Sequence, residues 1–95
     1  MLTSKQRAYL RSLANTQTAI LQVGKIGIND NLINQVRDAL NARELIKLSV
    51  LETSPVSAKE AANELAEMIN CDVVQVIGSK FVLYKESKDK KKIQL

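Results

Sequence analysis

A short β-type run from Thr18 to Val23, carrying Ile20, Leu21 and Val23, stops at Gly24-Lys25-Ile26-Gly27, where Asn29 or Asp30 can cap a helix. That helix has apolar positions at Leu32, Ile33, Val36, Ala39 and Leu40, and a second strand follows at Leu45 to Leu51, alternating Ile46, Leu48 and Val50 with Lys47 and Ser49. The order repeats once: Pro55 closes a loop, Ser57-Ala58-Lys59-Glu60 is a capping box, and Ala61, Ala62, Leu65, Met68 and Ile69 give the next helix its stripe before a strand at Asp72 to Ile77. Two strand-helix-strand units must be right-handed crossovers, and a chain of 95 residues is expected to cover only one face of their sheet. Both crossovers then advance in the same direction. The last strand, Phe81 to Tyr84, follows a tight turn at Gly78-Ser79-Lys80; it either inserts antiparallel between strands two and three or sits at an edge.

Before the first strand, Thr3 can cap the amide of Gln6 while the Gln6 side chain reaches back, so a helix starts there. At 100° per residue Leu2, Tyr9, Leu10 and Leu13 share a face, and Arg7 and Arg11 lie one turn apart on the opposite one. Tyr9 is therefore expected in the core. The fold class predicted is α+β, as a two-layer αβαβαββ domain with a four-stranded mixed sheet. Residues 1–87 form that single domain, and residues 88–95, too charged to pack, form a basic, flexible tail. The chain shows no internal repeat and no interior linker.

Composition removes several kinds of chemistry. Without histidine there is no imidazole base or imidazole metal ligand, and the single cysteine, Cys71, excludes thiol-pair and zinc-knuckle motifs. No metal site, cofactor or catalytic residue is predicted. Cys71 is expected to be a buried small hydrophobe in a reducing compartment. No apolar run reaches membrane-span length, and the start of the chain lacks a secretory signal, so a cytoplasmic protein with no membrane partner is expected.

A net charge of +4 is modest, but it is unevenly spread. Residues 1–29 hold Lys5, Arg7, Arg11 and Lys25 and no acid; residues 30–79 are acidic by four; residues 80–95, with Lys80 and Lys85 among six lysines, are basic by four. If the fold joins the two ends, they make a surface for a polyanion. Scattered lysines also serve solubility alone. The Gly-Lys-Ile-Gly turn adds a place where a sugar-phosphate backbone could approach the main chain, with Lys25 at its tip and the following helix N-terminus contributing partial positive charge. The same spacing occurs in ordinary turns and in the KH loop that clamps backbone nucleotides. Glu60, Glu64 and Glu67 follow helical spacing as a solvated face.

Taken together, Leu2-Thr3-Ser4-Lys5-Gln6-Arg7, Leu10-Arg11-Ser12-Leu13-Ala14, Gln22-Val23-Gly24-Lys25-Ile26-Gly27, Ala42-Arg43-Glu44-Leu45-Ile46-Lys47, Lys59-Glu60-Ala61-Ala62 and Val74-Gln75-Val76-Ile77-Gly78 resemble the YhbY family of stand-alone CRM domains. The resemblance implies a fold similar to the C-terminal domain of translation initiation factor 3, with strand order 1-2-4-3. It also implies RNA binding, with precursors of the large ribosomal subunit as the target. Carried over, the GxxG loop falls on Gly24, Lys25, Ile26 and Gly27, and the basic first helix on Lys5, Arg7 and Arg11. The chain departs from the pattern at Asn15, where many members have histidine, and at Ser79, where many have arginine; Lys80 is then the substitute phosphate contact.

The function expected is that of a monomeric, non-enzymatic RNA-binding protein acting on large-subunit ribosomal RNA during assembly, with Gly24, Lys25, Ile26, Gly27, Lys5, Arg7, Arg11, Lys80 and Lys85 at the RNA. The alternative is a protein-interaction factor whose acidic middle segment meets a basic ribosomal protein. A small enzyme acting through carboxylates lacks any visible nucleophile-base pair.

Overall fold

A computed structural model describes residues 2–89 and 91–95, so Met1 and Lys90, the latter part of the predicted tail, lie outside the described residues. The elements run α1 (Ser4–Ala14), β1 (Leu21–Val23), α2 (Asp30–Arg43), β2 (Leu45–Val50), α3 (Ala58–Ile69), β3 (Asp72–Ile77) and β4 (Lys80–Tyr84). Both capping boxes form: Gln6 N–H donates to Thr3 Oγ1 at 3.1 Å and Thr3 N–H to Gln6 Oε1 at 3.0 Å, with Ser57 and Glu60 repeating the pattern before α3. Asn29, not Asp30, caps α2, accepting from Leu32 N–H at 2.8 Å. The first strand is shorter than its apolar run, although Ile20 N–H still reaches Lys47 O at 2.9 Å.

The sheet has the order β1-β2-β4-β3, with β1 and β2 parallel and β4 antiparallel to both of its neighbours. Of the two places that handedness left open for the last strand, the chain takes the inserted one, which the resemblance implied. Gly78 at φ 58° starts the two-residue hairpin turn, in the position where a positive φ matches the strand twist.

The two-layer expectation holds for α2 and α3, which share one face of the sheet, but not for α1. Ile46, Leu48, Phe81 and Leu83 point to α2 and α3 and join Val36, Leu40, Ala61 and Leu65 in the larger core. Their strand neighbours Leu45, Val82 and Tyr84 point the other way and, with Val74, pack on Leu10 and Ala14 of α1. Thus α1 lies on the opposite face. Leu2, Leu10 and Leu13 of the expected stripe do pack on this core, but Ala14, not Tyr9, completes it, so the buried stripe is rotated from the expected one. Tyr9 is consequently 47% exposed, and Arg7 turns toward the sheet.

The connection from α2 to β2 is a single residue. Glu44 makes it at φ 66°, a costly conformation for a side chain with a Cβ, and its carboxylate is completely buried. Glu44 Oε2 accepts from Ser87 N–H at 2.7 Å and Oε1 from Lys92 and Ile93 N–H at 2.5 and 2.7 Å, while Glu44 O accepts from Lys85 N–H at 2.9 Å. Ile93 adds an apolar contact to the α1-side core. The segment expected to be too charged to pack is therefore anchored through its backbone, which its side-chain composition does not reveal.

Candidate nucleic-acid interface

The C-terminal ends of β1, β2 and β3 lie at one end of the sheet, together with the start of β4. Gly27 N–H donates to Gly24 O at 2.9 Å, closing a turn with Lys25 and Ile26 at its tip, where Ile26 is 78% exposed. Leu51 N–H to Val23 O at 2.9 Å, and Val50 N–H to Ser79 O at 2.7 Å, tie this turn, the loop after β2 and the β3–β4 hairpin into one platform. Lys80 begins β4 there and is exposed. Lys25 and Lys80 are thus brought to the same end of the sheet.

The two glycines of the turn have different reasons to be glycine. Gly27 has φ 78°, and a Cβ on it would stand 3.0 Å from Pro55 Cγ, so the fold itself requires it. Gly24 has no positive φ, and a Cβ there would meet only Leu51 Cδ1, at an ordinary 3.6 Å. Nothing in the fold excludes a side chain at Gly24. The neighbouring helix end is a poorer seat for an anion than expected, since Asn29 already takes the Leu32 amide and Asp30 places a carboxylate in the first turn.

The remaining predicted residues sit elsewhere. Arg7 Nη1 donates to Val73 O at 2.6 Å, at the start of β3, and Lys85 Nζ donates to Ile69 O at 2.9 Å, closing the C-terminus of α3. Lys5 is exposed near the N-terminus of α1, and Arg11, half-buried, is one turn beyond Arg7. The first and last segments do meet: Leu2 and Gln6 share a groove of about 470 Å³ with Lys91, Ile93 and Leu95. That meeting point is far from the glycine turn, because β1 and β3 are opposite edges. Three strand spacings of ~4.8 Å and four residues at ~3.3 Å put Arg7 about 20 Å from it. Basic groups therefore occupy two diagonal corners of the sheet.

Glu44 is the residue whose role sequence reasoning missed: it stands there only among the acids of the middle segment and inside the family-like stretch Ala42 to Lys47. Burial pushes its carboxyl up, but the amides of Ser87, Lys92 and Ile93 and the nearby Lys91 charge outweigh this and hold it below the ordinary glutamate range. An acid placed directly between a helical stripe and a strand, with no turn residue, was the available signal. Lys47, a polar position of the alternating second strand and the end of the family-like segment, stands half-exposed on the α1 side of β2.

The other reactive groups are quiet. Burial, with Asp72 adding to it, pushes the Cys71 thiol up to about 11, so it is protonated at neutral pH. No group of three or more potential metal ligands occurs among the described residues, and no described helix is long and apolar enough to cross a membrane. Glu64 and Glu67 are exposed on α3, on the side of the sheet away from α1, while Glu60 is engaged in its capping box, whose Ser57 amide and hydroxyl lower its carboxyl.

The chain is 50% identical over its full length to a Bacillus subtilis (strain 168) protein named Probable RNA-binding protein YqeI, covering 99% of that protein. It is 31% identical over 94 residues to a Haemophilus influenzae protein named RNA-binding protein, covering 99% of this chain and 94% of the other. Among solved structures, it matches the solution structure of the hypothetical protein SAV1595 from Staphylococcus aureus, put forward there as an RNA-binding protein, with a TM-score of 0.82 and 52% identity, over 100% of this chain and 99% of that one. The CRS1/YhbY (CRM) domain family matches residues 2–85, and with that match and these relatives the chain belongs to the CRS1/YhbY (CRM) family.

Proposed function

We propose that the protein binds RNA without acting on it chemically, holding phosphates at the Gly24–Gly27 turn with Lys25 and Lys80, and that its target is large-subunit ribosomal RNA in assembling particles. The observation that carries the proposal is Gly24: a residue without Cβ where the fold has no need of one, beside an exposed lysine at a turn tip. A bare main chain next to a mobile cation suits a sugar-phosphate backbone. Relatives named as RNA-binding proteins support the partner class, and the CRM resemblance supports the ribosomal target. A binding rather than catalytic role is supported by a chain with no histidine and a sole thiol that stays protonated at neutral pH.

Lys5, Arg7 and Arg11 contribute a second basic corner about 20 Å from the turn. Such spacing suits a folded RNA rather than one short run of phosphates. Arg7 takes part with its remaining donors, since one already serves Val73.

Titrating the affinity for single-stranded RNA against salt tests the reading. A linear fall of log affinity with log salt is expected, and Lys25→Ala should flatten its slope by ~0.7, the value for one phosphate contact on single strands. An affinity independent of salt would overturn it. Crosslinking in cells addresses the target: contacts concentrated in large-subunit RNA are expected, and contacts spread over all transcripts would refute the assembly role.

A further inference from the structure

On the α1 side, the sheet is covered only in part. α1 shields Leu45, Val74, Val82 and Tyr84 and ends at Ala14, leaving the half of that face nearer the glycine turn open. Strand pairing assigns the residues of the open half: Gln22 opposite Ser49, Ser49 opposite Lys80, Lys80 opposite Ile77, and both Lys47 and Gln75 opposite Val82 from either side. Asn15, Lys47, Gln75, Ile77 and Lys80 line a single depression of about 130 Å³ there.

Three features distinguish this surface from an ordinary solvent face. None of its positions is acidic, although the chain has 10 acids, and neither Lys47 nor Lys80 has an ion-pair partner among the described residues. The acids close to the turn, Asp30 and Glu52, belong to the start of α2 and to the loop leading into α3, not to the strands that make this face. The third feature is an irregularity in β3. The register shifts between Val73 and Gln75, so that Val74 and Gln75 both face the α1 side. A regular strand would send Gln75 and Ile77 to the α2–α3 side; the bulge sends them to the face of Lys47 and Lys80. Ile77 is left 63% exposed as a result.

Resting on the RNA-binding reading above, we propose that this open half-face is the path of a single-stranded RNA segment leaving the glycine turn. Lys80 and Lys47 neutralise its phosphates, and the carboxamides of Gln75, Gln22 and Asn15 hydrogen-bond base edges above the apolar floor of Ile77. A carboxamide offers both donors and an acceptor, so it pairs with the edge of an unstacked base, which a duplex would keep hidden. The turn grips without regard to sequence, and the half-face adds the preference.

The test compares Lys47→Ala, Gln75→Ala and Lys25→Ala with the unaltered chain on 12-nucleotide oligo(U), oligo(A) and oligo(C), with thermal melting to confirm that each variant is folded. For Lys47→Ala, about fivefold weaker binding at physiological salt and a slope flattened by ~0.7 are expected, as for loss of one phosphate contact. Gln75→Ala should leave the slope intact and narrow the spread of affinities among the three oligonucleotides to under about twofold, as when base-edge hydrogen bonds are lost. A Lys47→Glu variant, which reverses the charge with little change in length, should weaken binding further. If Lys25→Ala weakens binding while the Lys47 and Gln75 variants match the unaltered chain, the half-face is not the RNA path and the turn reading stands. If all variants match it, both fail.

Discussion

At the end of the sheet that carries the glycine turn, Lys25 and Lys80 are exposed and no fold-stabilising partner engages them among the described residues. At the other end three charged groups are tied to the main chain: Arg7 to Val73, Lys85 to Ile69, and Glu44 to the amides of Ser87, Lys92 and Ile93. Both ends are rich in charge, and only one uses it to hold the fold together. Charge density alone therefore does not identify a binding surface. What marks one is polar chemistry that the fold leaves unused, and substitutions of Glu44 and Lys85 should separate from those of Lys25 and Lys80 as losses of stability against losses of affinity.

The largest stability effect is expected at Glu44. Replacing it by alanine leaves three amides without their acceptor, and although water can reach the two in the tail once it undocks, the docking itself is lost. Glu44→Ala should cost about 3 kcal/mol in urea unfolding and speed hydrogen exchange at Lys92 and Ile93. The pH dependence follows from the sign of the shift. The folded-state carboxyl is held below its unfolded value, so its stabilisation is fully present above the ordinary glutamate range, about pH 4.3, and is lost as pH falls through the lower folded value. The stability gap between the unaltered chain and Glu44→Ala should accordingly shrink on acidification below that range. A gap of under about 0.5 kcal/mol at neutral pH would show that the tail end is as dispensable to the fold as the turn end, and the contrast would be gone.

What was legible in the sequence follows the same division. Local rules found both capping boxes, the glycine hairpin and the turn, because each depends on residues three or four apart whose side chains act on adjacent backbone. The side of the sheet taken by α1 was not legible. Its stripe is bordered by Tyr9 on one side and Ala14 on the other, and only tertiary contact decides that Ala14 is buried and Tyr9 exposed. The β3 bulge was equally hidden, since Val73, Val74 and Gln75 can be read in either alternation until β4 sets the register. Tail docking escaped because composition describes lysine side chains, whereas the attachment is made by amides that every residue but proline carries. For the candidate site, the glycine turn was legible as a local motif, but that Lys80 shares its end of the sheet was not. The separation of Lys5, Arg7 and Arg11 from them by the width of the sheet required the strand order to be laid out in space.

A smaller loss of stability, about 2 kcal/mol, is expected for Gly27→Ala, which forces a Cβ into a left-handed conformation and against Pro55. Thermal or urea denaturation would register it. A neutral Gly27→Ala would mean that the turn relaxes easily and that neither glycine is fixed by the fold.

The smallest stability change is expected at Gly24, and it decides the most. Its backbone suits other residues and its one near neighbour is at contact distance, so Gly24→Ala should alter stability by no more than about 0.5 kcal/mol, in either direction. If the turn holds phosphate, the same methyl group stands where the RNA backbone approaches, and affinity for single-stranded RNA should fall severalfold without a change in the salt slope, because no charge is removed. That pattern differs from the one expected of Lys25→Ala, which lowers affinity and flattens the slope together. The pair thus resolves a steric contribution from an electrostatic one within a single turn. Unchanged affinity in Gly24→Ala would reduce the turn to a lysine on a loop, and would move the weight of recognition to the open sheet face.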